Sequence, residues 1–278
     1  MRILCCLNRD LVSSVALNLL LAHLAEHEVT VALSDRIGAV RSDADEPRLR
    51  RELRAAEQTV AMECVFPLLD RAALPDDRQR YLTFEEVERH RGISVIALPD
   101  PNSVDALSTI GALSPDLILS IRYGAIFEPA VLALPRLGTL NLHAGLLPAY
   151  RGVIASFRAL MHGESDLGCT LHVVSDAGID RGDIVATTRL RVQPDRSLFW
   201  HVMSLYPDAV ELVVEALRTL SRGEPLRRTP QDHSRGAYYS YPGLAEWTEF
   251  SRRGWRVVDV GDLAEILKRF MPLAAQEE

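Results

Sequence analysis

The first thirty-four residues alternate between apolar runs and polar breaks. Residues 2–7 read Arg-Ile-Leu-Cys-Cys-Leu, an apolar run closed by Asn8-Arg9-Asp10, which predicts a buried strand. Residues 11–27 carry leucines at helical spacing and predict a helix. Residues 28–33, EVTVAL, alternate and are β-branched, so they predict a second strand. Strand, helix, strand implies a parallel α/β sheet. Further strands are predicted at 93–98, 117–121, 137–143 and 170–175. Residues 197–221 read as mainly helical, with Pro207 expected to interrupt or kink them. Residues 36–92 are charged and helix-prone, and are expected to form surface helices inserted between sheet elements. Residues 221–236 are rich in Arg, Pro and Gly and read as a linker. The division expected is a main domain over 1–220, a linker over 221–236, and a small C-terminal α+β unit over 237–278. That last unit carries Tyr238, Tyr239, Tyr241, Trp247, Phe250 and Trp255.

Composition narrows the chemistry. The 278 residues suggest one large domain, or one with a small appendage, at about 150 residues per domain. With 47% hydrophobic and 25% charged residues the balance is that of a globular protein. The net charge of −7 disfavours a dedicated nucleic-acid binder, which needs a cationic face. Lys268 is the sole lysine. That excludes a Walker-A phosphate loop and makes a Schiff-base mechanism implausible. The turn after the first strand has no glycine, so a dinucleotide fingerprint is absent. Cys5, Cys6, Cys64 and Cys169 form no C-x-x-C pair and are expected to be small buried hydrophobes in a reducing compartment. No signal-peptide layout or membrane-length apolar run is seen near the N-terminus, so a cytoplasmic location is expected.

Candidate chemistry sits in Thr139 to Gly152, TLNLHAGLLPAYRG. Asn141 and His143 are two apart and share one strand face, with Leu140 and Leu142 on the other. Strand carboxyl ends in an open α/β sheet line the ligand crevice. Asp180 follows in SDAGIDRGDI, flanked by Gly178 and Gly182. An amide, an imidazole and a carboxylate suffice for acyl transfer to an amine: one group for the oxyanion, one to orient, one for the proton. Each motif alone has a blander reading, a polar strand end or an Asx turn in a glycine-rich loop.

In combination they resemble the formyltransferase family that uses 10-formyltetrahydrofolate. The family pattern is Asn-x-His-Pro-Ser-Leu-Leu-Pro-x-Tyr/Trp-Arg-Gly followed by D-x-G-x-D-x-G. The matches are Asn141, His143, Leu146, Leu147, Pro148, Tyr150, Arg151 and Gly152, then Asp176, Gly178, Asp180 and Gly182. Ala144-Gly145 departs from the usual Pro-Ser. The resemblance implies a Rossmann-like formyltransferase core with a mostly parallel sheet, its catalytic domain over 1–220. It implies catalytic Asn141, His143 and Asp180, and 10-formyltetrahydrofolate as co-substrate. Arg122, Tyr123, Gly124, Ile126, Asp176 and Gly178 would bind that co-substrate, and Tyr150 and Arg151 the acceptor. No metal is called for.

The expected acceptor is a small-molecule amine, such as an amino sugar nucleotide or a natural-product amine. The purine enzyme of the family resembles a shorter chain with a Gly/Ser/Asn-rich first turn for phosphate, which Asn8-Arg9-Asp10 does not match. A methionyl-tRNA formyltransferase-like protein and a formyltetrahydrofolate hydrolase are the alternatives. A membrane partner is not expected, nucleic acid is disfavoured, and a homodimer is left open. A distant alternative is a zinc hydrolase, because His23-Leu24-Ala25-Glu26-His27 spells H-x-x-E-H. Those histidines sit where a helix is expected to end, and the sequence offers no third ligand. His162-Gly163-Glu164 spells H-x-E but lacks a P-C-x-x-C partner.

Overall fold

The structure is a computed structural model, and it describes residues 1–34, 46–76 and 80–271. Asp43 and Asp45, part of the charged cluster expected on the surface, lie outside those residues.

The strands are β1 (Arg2–Asn8), β2 (Glu28–Ser34), β3 (Ser94–Ala97), β4 (Leu117–Ile121), β5 (Thr139–His143), β6 (Tyr150–Gly152), β7 (Asp166–Leu167), β8 (Thr170–Val174), β9 (Ile184–Thr187), β10 (Leu190–Arg191) and β11 (Ala237–Tyr239). Seven of them form one sheet in the order β3-β2-β1-β4-β5-β8-β9. The pairs from β3 to β5 are parallel, while β5–β8 and β8–β9 are antiparallel. This is the α/β Rossmann-like core expected from the sequence. Ile3 to Asn8 and all of β4 are buried, which is why both read as continuous apolar runs. Strand order reverses between β1 and β4, so the ligand crevice falls beyond their carboxyl ends.

Helix α1 (Leu11–Leu21) is capped by Asp10, whose side chain accepts from the Ser13 N–H. It stops six residues short of the predicted end, and residues 22–27 are mostly turn. His23, Glu26 and His27 therefore never share a helical face, and the zinc-motif geometry does not form. Among the described residues no group of three His, Cys, Asp or Glu could hold a metal ion. A continuous helical rod spans 48–72: α2 (Arg48–Arg54), an eleven-residue π-helix (Ala55–Val65) and α3 (Phe66–Ala72). π-Helical turns are rare and mark functional positions often enough to note. Then come α4 (Phe84–Arg91), α5 (Val104–Leu113), α6 (Pro129–Leu132), α7 (Ala155–Met161), α8 (Leu198–Ser204) and α9 (Tyr206–Ser221). Pro207 does not kink a helix. It sits in the first turn of α9, where its missing N–H would be unpaired anyway. Three cysteines are buried as expected, and burial pushes the Cys5 thiol up to about 12; Cys64 instead is exposed.

Helices α10 (Leu244–Arg252) and α11 (Val260–Lys268) close on the same hydrophobic core. Phe250 stacks on Phe157 of α7 at 4.7 Å, Trp247 lies 4.5 Å from the same ring, and Phe270 reaches Phe66 of α3 at 4.9 Å. The N–H groups of Leu198 and Phe199 bond to the carbonyls of Arg256 and Val257. No described helix is long and apolar enough to cross a membrane.

Because Phe250 is fully buried against α7, Phe250→Ala is expected to lower the unfolding free energy by about 3–5 kcal/mol in urea titration. A loss below about 1 kcal/mol would mean that α10 folds apart from the main core.

Candidate active site

Asn141 and His143 project from the same face of β5, at the carboxyl end of the sheet. The antiparallel register sets His172 of β8 directly opposite Asn141. Asp180 comes in on the loop between β8 and β9. Its carboxylate meets all three: Oδ2 lies 3.5 Å from His143 Nδ1, and Oδ1 lies 3.4 Å from both His172 Nε2 and Asn141 Nδ2. The main-chain N–H of Gly152 donates to Oδ2 at 2.8 Å. Burial would raise the carboxyl. The charge of His143, the approach of His172 and the Gly152 N–H outweigh it and hold Asp180 at about 2.

The two imidazoles are anchored differently. His143 Nε2 donates to the Tyr150 carbonyl at 2.7 Å, which leaves Nδ1 facing Asp180. His172 Nδ1 donates to the Val173 carbonyl at 2.9 Å, so its Nε2 accepts from Asn141 Nδ2 at 3.0 Å. Asn141 thus spends its amide hydrogens on His172 and Asp180 in this conformation. The Ala144-Gly145 departure has a steric reason here. A Cβ at Gly145 would come within 2.6 Å of His143 Nε2 and 2.8 Å of the Tyr150 carbonyl. The His143–Tyr150 bond uses the space that a side chain at 145 would fill.

The residues expected to bind the co-substrate divide into two groups. Tyr123, Gly124 and Ile126 lie together beyond β4. The Tyr123 ring stacks on Phe127 at 5.4 Å and its hydroxyl donates to the Leu98 carbonyl, while Ile126 is 49% exposed. Asp176 accepts the Gly178 N–H at 2.6 Å and shapes the loop that leads to Asp180. Arg122 does not join them. Its guanidinium donates to Asp10 Oδ2 at 3.1 Å and pairs with Glu57 of the π-helix at 3.1 Å. Burial pushes the Glu57 carboxyl up, and Arg122 works against that rise. Arg122 is an internal counter-ion between helix α1 and the π-helix.

Of the two acceptor candidates, Tyr150 is buried. Its hydroxyl donates to Glu164 at 2.7 Å and lies 3.2 Å from His162, so what it offers the site is its carbonyl. Arg151 is half-buried, its side chain forms no ion pair or hydrogen bond among the described residues, and its buried Nε has no partner. Sequence reasoning missed His172. Nothing in TLHVVS marks it, because its place opposite Asn141 is set by strand register alone.

Comparison with known proteins places the chain in a family. The Formyl transferase family matches residues 48–204, more than half of the chain, and the chain belongs to that family. It is 35% identical over 154 residues to a methionyl-tRNA formyltransferase of Kosmotoga olearia, covering 55% of this chain and 49% of the relative. It is 30% identical over 210 residues to that of Paramagnetospirillum magneticum, covering 74% and 67%. The chain thus spans about half the length of the first of these relatives. The fold is shared with glycinamide ribonucleotide transformylase 1 from Symbiobacterium toebii, with TM-score 0.54, 22% identity, and coverage of 84% and 94%. It is shared too with an N-formyltransferase from Helicobacter canadensis solved with folinic acid and dTDP-3-aminofucose, with TM-score 0.53, 16% identity, and coverage of 86% and 71%.

The Asp180 carboxyl is expected to titrate near pH 2, against an ordinary value of 3.8. A depressed carboxylate contributes stability that is present above its unfolded value and lost as pH falls through its folded one. Carboxyl NMR of selectively labelled protein checks this. A midpoint near 4 would show that the two histidines and Gly152 do not hold the carboxylate.

Proposed function

We propose that this chain is an N-formyltransferase that moves a formyl group from 10-formyltetrahydrofolate to a primary amine. The observation that carries the reading is the convergence of Asn141, His143 and Asp180 within 3.5 Å at the strand ends of a formyl transferase core. 10-Formyltetrahydrofolate supplies an activated formyl group when bound. The stacked Tyr123–Phe127 pair, Gly124 and the exposed Ile126 would form one wall for its pterin, with the Asp176–Gly178 turn opposite. Attack of the amine on the formyl carbon drives charge onto the carbonyl oxygen. Asn141 Nδ2 is the donor that can swing to that oxygen, because its present acceptors are reached at 3.0 and 3.4 Å. The ionised Asp180 carboxylate, held against His143 Nδ1, takes the proton that the amine loses. The proton then goes to the folate nitrogen from which the formyl group departs, so charge and protons balance.

For the acceptor, the sequence relatives favour methionyl-tRNA over the small amine expected from net charge. Those relatives are 30–39% identical and carry that name. The N-formyltransferase structures, two of them sugar formyltransferases, are 14–16% identical and speak for the fold alone. Arg151 and Arg181 give the reading a physical footing. One precedes Gly152, which holds Asp180, and the other follows Asp180 in sequence; neither has a carboxylate partner among the described residues. Unpaired guanidinium groups beside a site suit phosphates. A small amine is the second reading, supported by the net charge of −7. A phosphate at the head of α1 is disfavoured, since the Asp10 carboxylate already caps that helix.

Release of tetrahydrofolate, followed with methionyl-tRNA, with small amines and with no amine, tests the reading. Methionyl-tRNA should accelerate release, and added salt should slow it. Release without amine would point to hydrolysis, and release with small amines alone to the second reading. Silence with every acceptor would end the proposal. Asp180→Asn and His143→Asn should each lower kcat by a factor on the order of a hundred or more, and together little further. Near-wild-type turnover in Asp180→Asn would leave Asp180 a loop-shaping residue.

A further inference from the structure

Residues 229–239, which begin in the stretch whose composition reads as a linker and run into the C-terminal unit, lie across two loops at once. On one side Thr229 and Ile184 exchange a pair of main-chain bonds, each 2.8 Å. Two residues on, Gln231 Nε2 donates to the carbonyls of Asp180, at 3.1 Å, and of Gly182, at 2.6 Å. On the other side Gly236 lies against Pro148. A Cβ there would stand 1.8 Å from the Pro148 carbonyl oxygen, so no other residue fits. Ala237 donates to the Ala149 carbonyl, Val153 donates to the Tyr239 carbonyl at 3.0 Å, and β11 pairs in parallel with β6. The second loop is the one that supplies the Tyr150 carbonyl to His143 and the Gly152 N–H to Asp180. One strap therefore fastens both supports of the carboxylate–imidazole pair.

Asp180 needs such a fastening. Its φ is 53°, in the left-handed region that a residue with a side chain rarely adopts. The loop around it holds two glycines and no regular structure. Among the described residues, no main-chain N–H outside the strands and helices reaches the carbonyl of Asp180 or of Gly182. The amide of Gln231 bonds both, and so pins the backbone on each side of Arg181. With the turn pinned at its carbonyls and the carboxylate caught by Gly152, the side chain has little freedom left but to face His143.

We propose that Gln231 is a positioning residue for the reaction: its amide clamps the Asp180–Gly182 turn and thereby holds the Asp180 carboxylate against His143. The inference rests on the formyl-transfer reading for its kinetic consequence, and on geometry alone for the clamp. Gln231 touches no reacting atom in this account. It acts through Asp180.

Two variants of the full chain test it. In Gln231→Ala both carbonyls lose their donor. Turnover should fall about ten-fold or more, with KM for the folate little changed. Amide hydrogen exchange over residues 178–184 should quicken while the core strands keep their protection. Gln231→Glu gives a readout that a merely structural residue would not move. Its carboxylate cannot donate, but its protonated form can, so its kcat relative to wild type should rise as pH falls from 8 to 5. The proposal is overturned by an unchanged kcat with unchanged exchange in Gln231→Ala. It is overturned too by a rise in KM at constant kcat, or by a flat pH ratio for Gln231→Glu. If the wild type transfers no formyl group to any acceptor, the functional reading fails separately. Exchange over 178–184 then decides the clamp by itself: faster exchange supports it and unchanged exchange overturns it.

Discussion

One buried carboxylate organises this molecule's site. Asp180 can stay ionised out of water only if charge and hydrogen bonds replace the solvent it has lost. The replacements come from three separate parts of the fold. β5 supplies Asn141 and His143, β8 supplies His172, and the loop after Pro148 supplies the Gly152 N–H. The switch from parallel pairing in β4–β5 to antiparallel pairing in β5–β8 sets His172 across from Asn141. The left-handed backbone at Asp180 is the local strain that accompanies the arrangement.

What could be read from the sequence follows from what is local. The period-two pattern of TLNLH placed Asn141 and His143 on one face, and the glycines around Asp180 announced a tight loop. Both signals lie within a few residues of the chemistry they report. His172 gave no such signal, since only register with Asn141, 31 residues away, gives it meaning. Arg122 is the opposite case. Its neighbours Tyr123 and Gly124 lie beyond β4 as expected, but its own charge answers Asp10, 112 residues away, and Glu57 on the π-helix. A buried ion pair across that separation leaves no local trace. Likewise the expected end of α1 at residue 27 followed the leucine spacing, whereas the chain turns after Leu21 so that β2 can enter beside β1.

Polar composition in 221–236 reflects two different things. From Arg222 to Arg228 most residues are exposed. From Thr229 onward the same kind of composition serves hydrogen bonds to loops that have no secondary structure to satisfy them. Backbone carbonyls in an irregular loop need donors from somewhere, and a polar strap meets that need better than an apolar one. Low hydrophobicity by itself therefore does not separate a free linker from a segment that completes a site.

Charge shows the same contrast between total and place. The chain is acidic overall, and much of that acid is matched locally by arginine, as in Arg80–Glu86, Arg158–Glu246 and Arg252–Glu249. Pairs like these cancel at a distance of a few ångströms, so they contribute little field at the crevice. What an approaching anion meets is set by the groups left over. At the head of α1 the Asp10 carboxylate and its neighbour Glu57 already engage the Arg122 guanidinium. A phosphate there would compete with two carboxylates for Arg122. Beside Asp180 the balance is reversed, because Arg151 and Arg181 have no carboxylate to answer them among the described residues. An anionic group would therefore meet least opposition on the side of the strap and the loop that carries Asp180, away from the helix terminus, where free N–H groups would otherwise favour it.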